Sequence, residues 1–285
     1  MGALDVGVSW RGDGKYVATC VRCGEEDLCP GRVRIWDVES LTLHAIGEQS
    51  PGTLPVLAWQ PNGRTLCVAN CLSDAQVEEM AMLRLKRRDA GGQGQAPEVR
   101  HVGAWKRELR RRQEAADGES AGPSRVFIYE RNGLQHGDFA VPGDGLRIEQ
   151  MAWSGDSRTL AVVVCEERER HGEHQETRSV QIWCRSNWKW YNKWTRTFGC
   201  GEKVLMAWHE GPGGPALTTW TTKSPGAAWV ISSSKLAWDY DVSDYGTVAV
   251  ISGERLMVTP MRQCMIPPPL CAVELLCGRP ISCVL

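Results

Sequence analysis

One phrase recurs along this chain and restricts its fold more than any other feature. A short apolar strand ends in tryptophan, a tight polar turn follows, and an alternating strand returns. It reads VSWRGDGKYVA at 8–18, LAWQPNGRTLCV at 57–68, MAWSGDSRTLAV at 151–162 and, in degenerate form, LMAWH at 205–209. Asp-Gly, Asn-Gly and Asp-Ser tolerate positive φ, so each copy predicts a β-hairpin. A second phrase follows each hairpin: VRIWD at 33–37, VFIYE at 126–130, VQIW at 180–183 and a weaker KLAWD at 235–239. Each reads as a further strand with an aromatic near its end. A hairpin plus a strand, repeated about every 50 residues, predicts the blades of a propeller. The expected fold is therefore all-β, a partial WD40-type β-propeller of about four blades.

The chain has 13 tryptophans against 3 phenylalanines, which fits a repeated structural use of Trp better than random core filling. Each such Trp buries on the order of 150–250 Å². At ~25 cal/mol per Å² the upper bound is roughly 4–6 kcal/mol apiece, so these residues read as core between blades rather than as a ligand cage.

The spacing also exposes an insert. Trp10 to Trp36 is 26 residues, and both Trp153 to Trp183 and Trp208 to Trp238 are 30, but Trp59 to Tyr129 is 70. The excess falls at 73–124, a charged, Gly-rich stretch nearly devoid of β-branched residues. It is expected to be a mobile loop from one blade, with short helical pieces around Val77–Arg87 and Trp105–Ala115. The domain reading is propeller blades over 1–245, containing this insert, and the start of a following blade over 246–285. The ends of the chain read as those of a fragment or a truncated gene model.

Composition removes several function classes. A net charge of -1 gives no general attraction to nucleic acid or anionic membrane. No apolar run approaches the ~18 residues of a membrane helix, and MGALDVGVSW lacks the basic and long apolar regions of a signal peptide. The 12 cysteines show no framework spacing. Cys20, Cys23 and Cys29 open a metal-like set that no second CxxC or His pair completes, so free thiols in a reducing compartment are expected.

The remaining motifs are weighed against plainer readings. Arg11-Gly12-Asp13 spells an adhesion tripeptide but opens a hairpin turn. His171 and His174 lack a third ligand and read as part of a solvated loop, as do Glu166 and Glu167. Gly199–Lys203 lacks phosphate-loop spacing and reads as a turn. No H-E-x-x-H phrase occurs, and no catalytic, cofactor or metal residue is assigned. The one dense basic patch is Lys86, Arg87 and Arg88 with Lys106, Arg107, Arg110, Arg111 and Arg112. Such a patch holds phosphates by counterion release, making these eight residues the candidate RNA contacts, although neighbouring acids dilute the field.

The phrases VSWRGDGKYVAT, VRIWDVESL, LAWQPNGRTL, VFIYERNGLQHGDF, MAWSGDSRTLAV, VQIWCRSNWKWYNKW and MIPPPLC occur in order. Together they resemble the N-terminal propeller region of the elongator complex protein 1 family, from about Val8 to Leu276. The basic insert has no counterpart in that pattern, and Thr218–Ser234 matches it loosely. The resemblance implies a non-catalytic scaffold without cofactors. Its partners would be the complex's radical-SAM acetyltransferase subunit and a WD40 subunit, with tRNA reached indirectly during wobble-uridine (U34) modification. The lack of a signal peptide, of an apolar span and of a cysteine framework points to a cytoplasmic location, with the nucleus as a second compartment, and no membrane. The family's homodimerisation region lies in a C-terminal part outside this chain. A generic WD40 adaptor of another complex is the alternative, and a propeller enzyme a third reading.

Overall fold

The computed structural model describes residues 4–23, 32–47, 53–70, 123–170, 173–187, 189–211, 214–223, 228–235, 240–264, 266 and 270–281. Among them every regular element is a strand, and no helix is long and apolar enough to cross a membrane. The first sheet runs β1 (Leu4–Trp10), β2 (Tyr16–Cys23), β3 (Arg32–Asp37) and β4 (Thr42–Ile46). The second runs β5 (Thr53–Trp59), β6 (Thr65–Asn70), β7 (Pro123–Glu130) and β8 (Gln135–Asp144). The third runs β9 (Leu146–Trp153), β10 (Thr159–Arg170), β11 (Glu173–Ser186) and β12 (Lys189–Thr197). The fourth holds β13 (Lys203–Gly211), β14 (Gly214–Thr222) and β15 (Val230–Lys235). The fifth holds β16 (Tyr240–Val242), β17 (Thr247–Ser252), β18 (Arg255–Pro260) and β19 (Val273–Leu276). Every sheet is an antiparallel meander, which is the blade expected from the repeat.

The repeated phrase sets an equivalent register in each sheet. Trp10 lies opposite Val17, which lies opposite Trp36. Trp59, Leu66 and Tyr129 form the same row in the second sheet, and Trp153, Leu160 and Trp183 in the third. Trp208 faces Leu217 in the fourth. Because strand side chains alternate, each row occupies one face, and from the second sheet onward it packs onto the sheet before it. Leu57, Trp59, Leu66, Val68, Phe127 and Tyr129 thus close over the small residues Ala18 and Cys20, with Val33 and Ile35. Leu160, Val162 and Trp183 close over Ala58, Cys67 and Ala69. Val204, Met206 and Leu217 close over Ala161 and Val163. Large residues on one sheet meet small ones on the next, and the core is the set of these seams.

Two backbone devices set the geometry. At Gly7 a Cβ would stand 2.0 Å from the Pro55 carbonyl oxygen, so only glycine lets β1 lie this close to β5. A bulge also recurs at the second aromatic. The register shifts between Ile35 and Trp36, between Ile128 and Tyr129, and between Ile182 and Trp183. The extra residue on the outer strand is His44, His136 or Lys193, and bulges of this kind add local twist. In the third sheet the bulge also anchors the fifth. Gly253 N–H donates to the Asn192 carbonyl at 2.6 Å, and Lys193 Nζ donates to the Ile251 carbonyl at 2.8 Å.

Three expectations change. The polar stretch at 165–178 is largely strand rather than loop, because β10 and β11 extend to Arg170 and from Glu173, pairing Glu167 with Glu176 and Glu169 with His174. The third strand of the fourth sheet is Val230–Lys235, and it shares only Lys235 with the KLAWD phrase, whose 236–239 lie outside the described residues. Trp10 was expected in the core, yet it is 60% exposed because no described sheet covers its face. The insert, with its two expected helical pieces, lies outside the described residues except at Pro123 and Ser124.

Candidate functional site

The eight basic residues singled out in the sequence, Lys86, Arg87, Arg88, Lys106, Arg107, Arg110, Arg111 and Arg112, all lie outside the described residues. A different set of cations comes together in the folded part, and the repeat itself puts them there. Each hairpin turn has one residue at positive φ: Gly14 at 71°, Gly63 at 69° and Ser157 at 64°. Lys15, Arg64 and Arg158 follow directly, and all three are exposed. Their backbone N–H groups donate to Asp13 Oδ1 (3.1 Å), Asn62 Oδ1 (2.9 Å) and Asp156 Oδ1 (3.0 Å), an Asx turn repeated in successive sheets.

The turns are stitched to one another. Arg11 Nε donates to the Gly63 carbonyl (3.1 Å), Gln60 Nε2 to the Ser157 carbonyl (2.8 Å), and Asn62 N–H to Ser157 Oγ (3.0 Å). Between the second and third sheets this edge encloses a groove of about 780 Å³. Arg64, Arg158, Arg185 and Lys193 line it, against the single carboxylate of Asp156. That carboxylate already accepts from Ser154 Oγ at 2.6 Å and from Arg158 N–H. Trp153 and Trp190 form part of the wall, but their rings pack on each other at 5.9 Å, and Trp190 stacks on Phe139 at 4.5 Å.

A second polar cluster sits further along the third sheet. Arg178 donates to Glu149 Oε2 (2.7 Å), Glu149 Oε1 (3.1 Å), Glu176 Oε2 (2.7 Å) and the Glu202 carbonyl (3.2 Å). Arg147 reaches Glu149 at 3.1 Å and Glu167 at 3.3 Å. Glu167 and Glu176 are direct cross-strand neighbours, a repulsive pairing that the two guanidinium groups offset. The hydrogen bond to Glu149 holds Arg178 firmly charged, its pKa driven upward despite burial. Cys165, Glu167 and Glu176 lie within 4.8 Å of one another. Arginines already hold both acids, and burial pushes the Cys165 thiol up to about 11. A thiolate is therefore disfavoured as ligand or nucleophile, and the cluster acts as a polar clamp joining strands β9, β11 and the approach to β13. Burial likewise pushes Cys20 up to about 11 and Cys67 up to about 12.

Among the described residues, the first and fourth sheets carry exposed apolar side chains. On the first sheet Val6, Val8, Trp10 and Leu43 are exposed beside half-buried Val17 and Trp36. On the fourth, Leu205 and Ile231 are exposed, with Ala207 beside them. Sequence reading missed the groove because its cations are single residues scattered over the chain. The available signal was the Lys or Arg that follows the turn in three copies of the repeat.

A family model described as the ELP1 first N-terminal beta-propeller matches residues 2–211, and one described as the ELP1 N-terminal second beta-propeller matches residues 250–285. Elongator complex protein 1 of Mus musculus is 26% identical over 288 residues, covering 98% of this chain and 17% of that protein. The Schizosaccharomyces pombe protein of that name is 26% identical over 272 residues, covering 94% of this chain and 16% of its own length. The chain thus spans about a sixth of the length of the curated relatives it matches. Among solved structures, the Cps50 (Swd1) β-propeller domain of Myceliophteria thermophila shows 12% identity and a TM-score of 0.41, over 94% of this chain and 70% of that one. Pyrococcus horikoshii acylaminoacyl peptidase shows 9% identity and a TM-score of 0.40, over 90% of this chain and 38% of that one. With well over half of its residues inside the first family match, and with meander sheets whose aromatic rows repeat in register, the chain belongs to the ELP1 N-terminal β-propeller family.

Proposed function

We propose that this chain is a non-catalytic scaffold piece of an Elongator complex, offering rigid sheet faces to other subunits while wobble-uridine modification of tRNA takes place elsewhere. The observation that carries this reading is the open row of the first sheet. Trp10, Val17 and Trp36 repeat the row that Trp59, Leu66 and Tyr129 bury in the second, so the exposed face has the shape and apolarity of an inter-sheet contact. Similarity to proteins named Elongator complex protein 1 supports a complex as the setting in which such a face would be covered. The partners would be the radical-SAM acetyltransferase subunit and a WD40 subunit, in the cytoplasm, with tRNA reached only through the assembly.

The test is affinity capture from cytoplasmic extract, with the tagged chain and its Trp10→Arg variant as baits. Capture of those two subunits by the parent chain, reduced in the variant, is the expected result. Capture of an unrelated set of ligase or chromatin factors would move the chain to the general WD40 adaptors, and recovery of neither set would end the scaffold reading.

A further inference from the structure

We propose that the groove between the second and third sheets binds an acidic peptide segment through Arg64 and Arg158. The inference goes beyond the scaffold reading, since it assigns a site and a ligand chemistry and is tested on the purified chain alone.

Three observations carry it. First, the repeat places a cation after the turn in successive sheets, and the stitched turns bring Arg64 and Arg158 to the same groove, together with Arg185. Second, Arg64 and Arg158 form no ion pair among the described residues. Asp156 is the one carboxylate among the described residues lining the groove, and its Oδ1 accepts from Ser154 Oγ and from Arg158 N–H rather than from either guanidinium group. Three other arginines do hold acids: Arg11 holds Asp13, Arg125 holds Asp138, and Arg178 holds Glu149. Third, the turns are held rigid by hydrogen bonds between sheets, so their guanidinium groups stand on a fixed base. A planar guanidinium takes a carboxylate in two parallel hydrogen bonds, and clusters of them recognise acidic motifs.

The chemistry of the wall decides between a peptide and a nucleic acid. Single-stranded RNA needs open aromatic faces for its bases. Here Trp190 stacks on Phe139 and Trp153 packs against Trp190, so the rings are used within the protein. What the groove offers outward is charge, together with hydroxyl groups of Ser157 and Ser186. Its volume of about 780 Å³ falls in the ordinary range for a ligand cleft.

The probe is a fluorescein-labelled octapeptide of alternating Glu and Asp, titrated with the whole chain in fluorescence anisotropy at low salt. Saturable binding is expected, with an affinity that falls several-fold between about 50 mM and about 200 mM salt. The Arg64→Ala/Arg158→Ala double variant should bind at least ~10-fold more weakly, a loss of ~1.4 kcal/mol or more. Lys203→Ala, which removes an exposed cation on the fourth sheet, should bind as the parent does. Both arginines are exposed, and a far-ultraviolet circular dichroism spectrum and melting temperature matching the parent's would show that the fold is kept. If the double variant does not hold its fold, Arg64→Gln and Arg158→Gln tested singly give the same reading. The proposal is overturned by no binding at low salt, by equal binding of an Asn/Gln octapeptide, by unchanged affinity in the variants, or by a single-stranded RNA octamer that binds more tightly and displaces the peptide.

Discussion

The first and second sheets carry the same phrase in the same register, yet Trp10 is 60% exposed and Trp59 is 5% exposed. The phrase determines where the tryptophan sits in its own sheet. Whether that tryptophan adds to stability is decided by the sheet before it, which for Trp59 is the first and for Trp10 is none of those described. Their surroundings differ in polarity as well. Trp36, in the open row, satisfies its indole N–H on Thr19 Oγ1 at 3.0 Å, whereas the indole N–H of Trp59 is buried with no partner among the described residues. The second sheet therefore gains apolar burial large enough to outweigh an unsatisfied donor.

The sharpest way to break this comparison is to truncate both tryptophans. Trp59→Ala should cost about 3–5 kcal/mol in urea unfolding of the chain, from lost burial plus a cavity. Trp10→Ala should stay within about 0.5 kcal/mol, as for an exposed position. Equal losses would mean that the open face is covered in solution. The next test acts on the seam itself. Gly7→Ala drives a methyl group into the Pro55 carbonyl and should cost about 1–3 kcal/mol by forcing the first two sheets apart. Gly14→Ala, at φ 71° with no atom within 4 Å, should cost only the conformational strain of about 1 kcal/mol. A Gly7→Ala chain as stable as Gly14→Ala would show that the sheets are not in close contact there.

The parts of this fold legible in the sequence were those that repeat. Trp10, Trp59, Trp153 and Trp208 and their turns identified the hairpins, and Trp36, Tyr129 and Trp183 identified the third strands, because period-two alternation and positive-φ turns are local properties. Properties set by neighbours were not legible. Nothing local distinguishes Trp10 from Trp59, and the bulges at His44, His136 and Lys193 arise from pairing across strands. The stretch around Glu166–Arg178 reads as a loop in sequence because dense charge is common in irregular structure. It is strand, and its acids Glu167 and Glu176 are answered by Arg147 and Arg178. The groove belongs to the same class, since Arg64 and Arg158 are 94 residues apart in sequence and meet only because their turns are bonded sheet to sheet.

The smallest effect at any one pH concerns the covered faces, where Cys20 lies between the first and second sheets and Cys67 between the second and third. A thiol is an acid, and burial raises its pKa in the folded chain, to about 11 for Cys20 and about 12 for Cys67. In the unfolded chain both titrate near ~8.5. Below that value the two states hold the same thiol protons, and the contribution to stability is fully present. As pH rises through about 9 to 11 the unfolded state loses protons that the folded state keeps, so unfolding is favoured and stability falls. Each buried thiol adds at most ~1.4 kcal/mol per pH unit to that slope. Cys67→Ala should therefore be less stable than the parent at pH 7, through its cavity, yet show a shallower loss of stability from pH 9 to 10.5. Because the readout is a slope, the cavity's offset drops out. A slope unchanged by Cys67→Ala would mean that the seam between the second and third sheets admits solvent, and the contrast between covered and open faces would fail at its best-packed point.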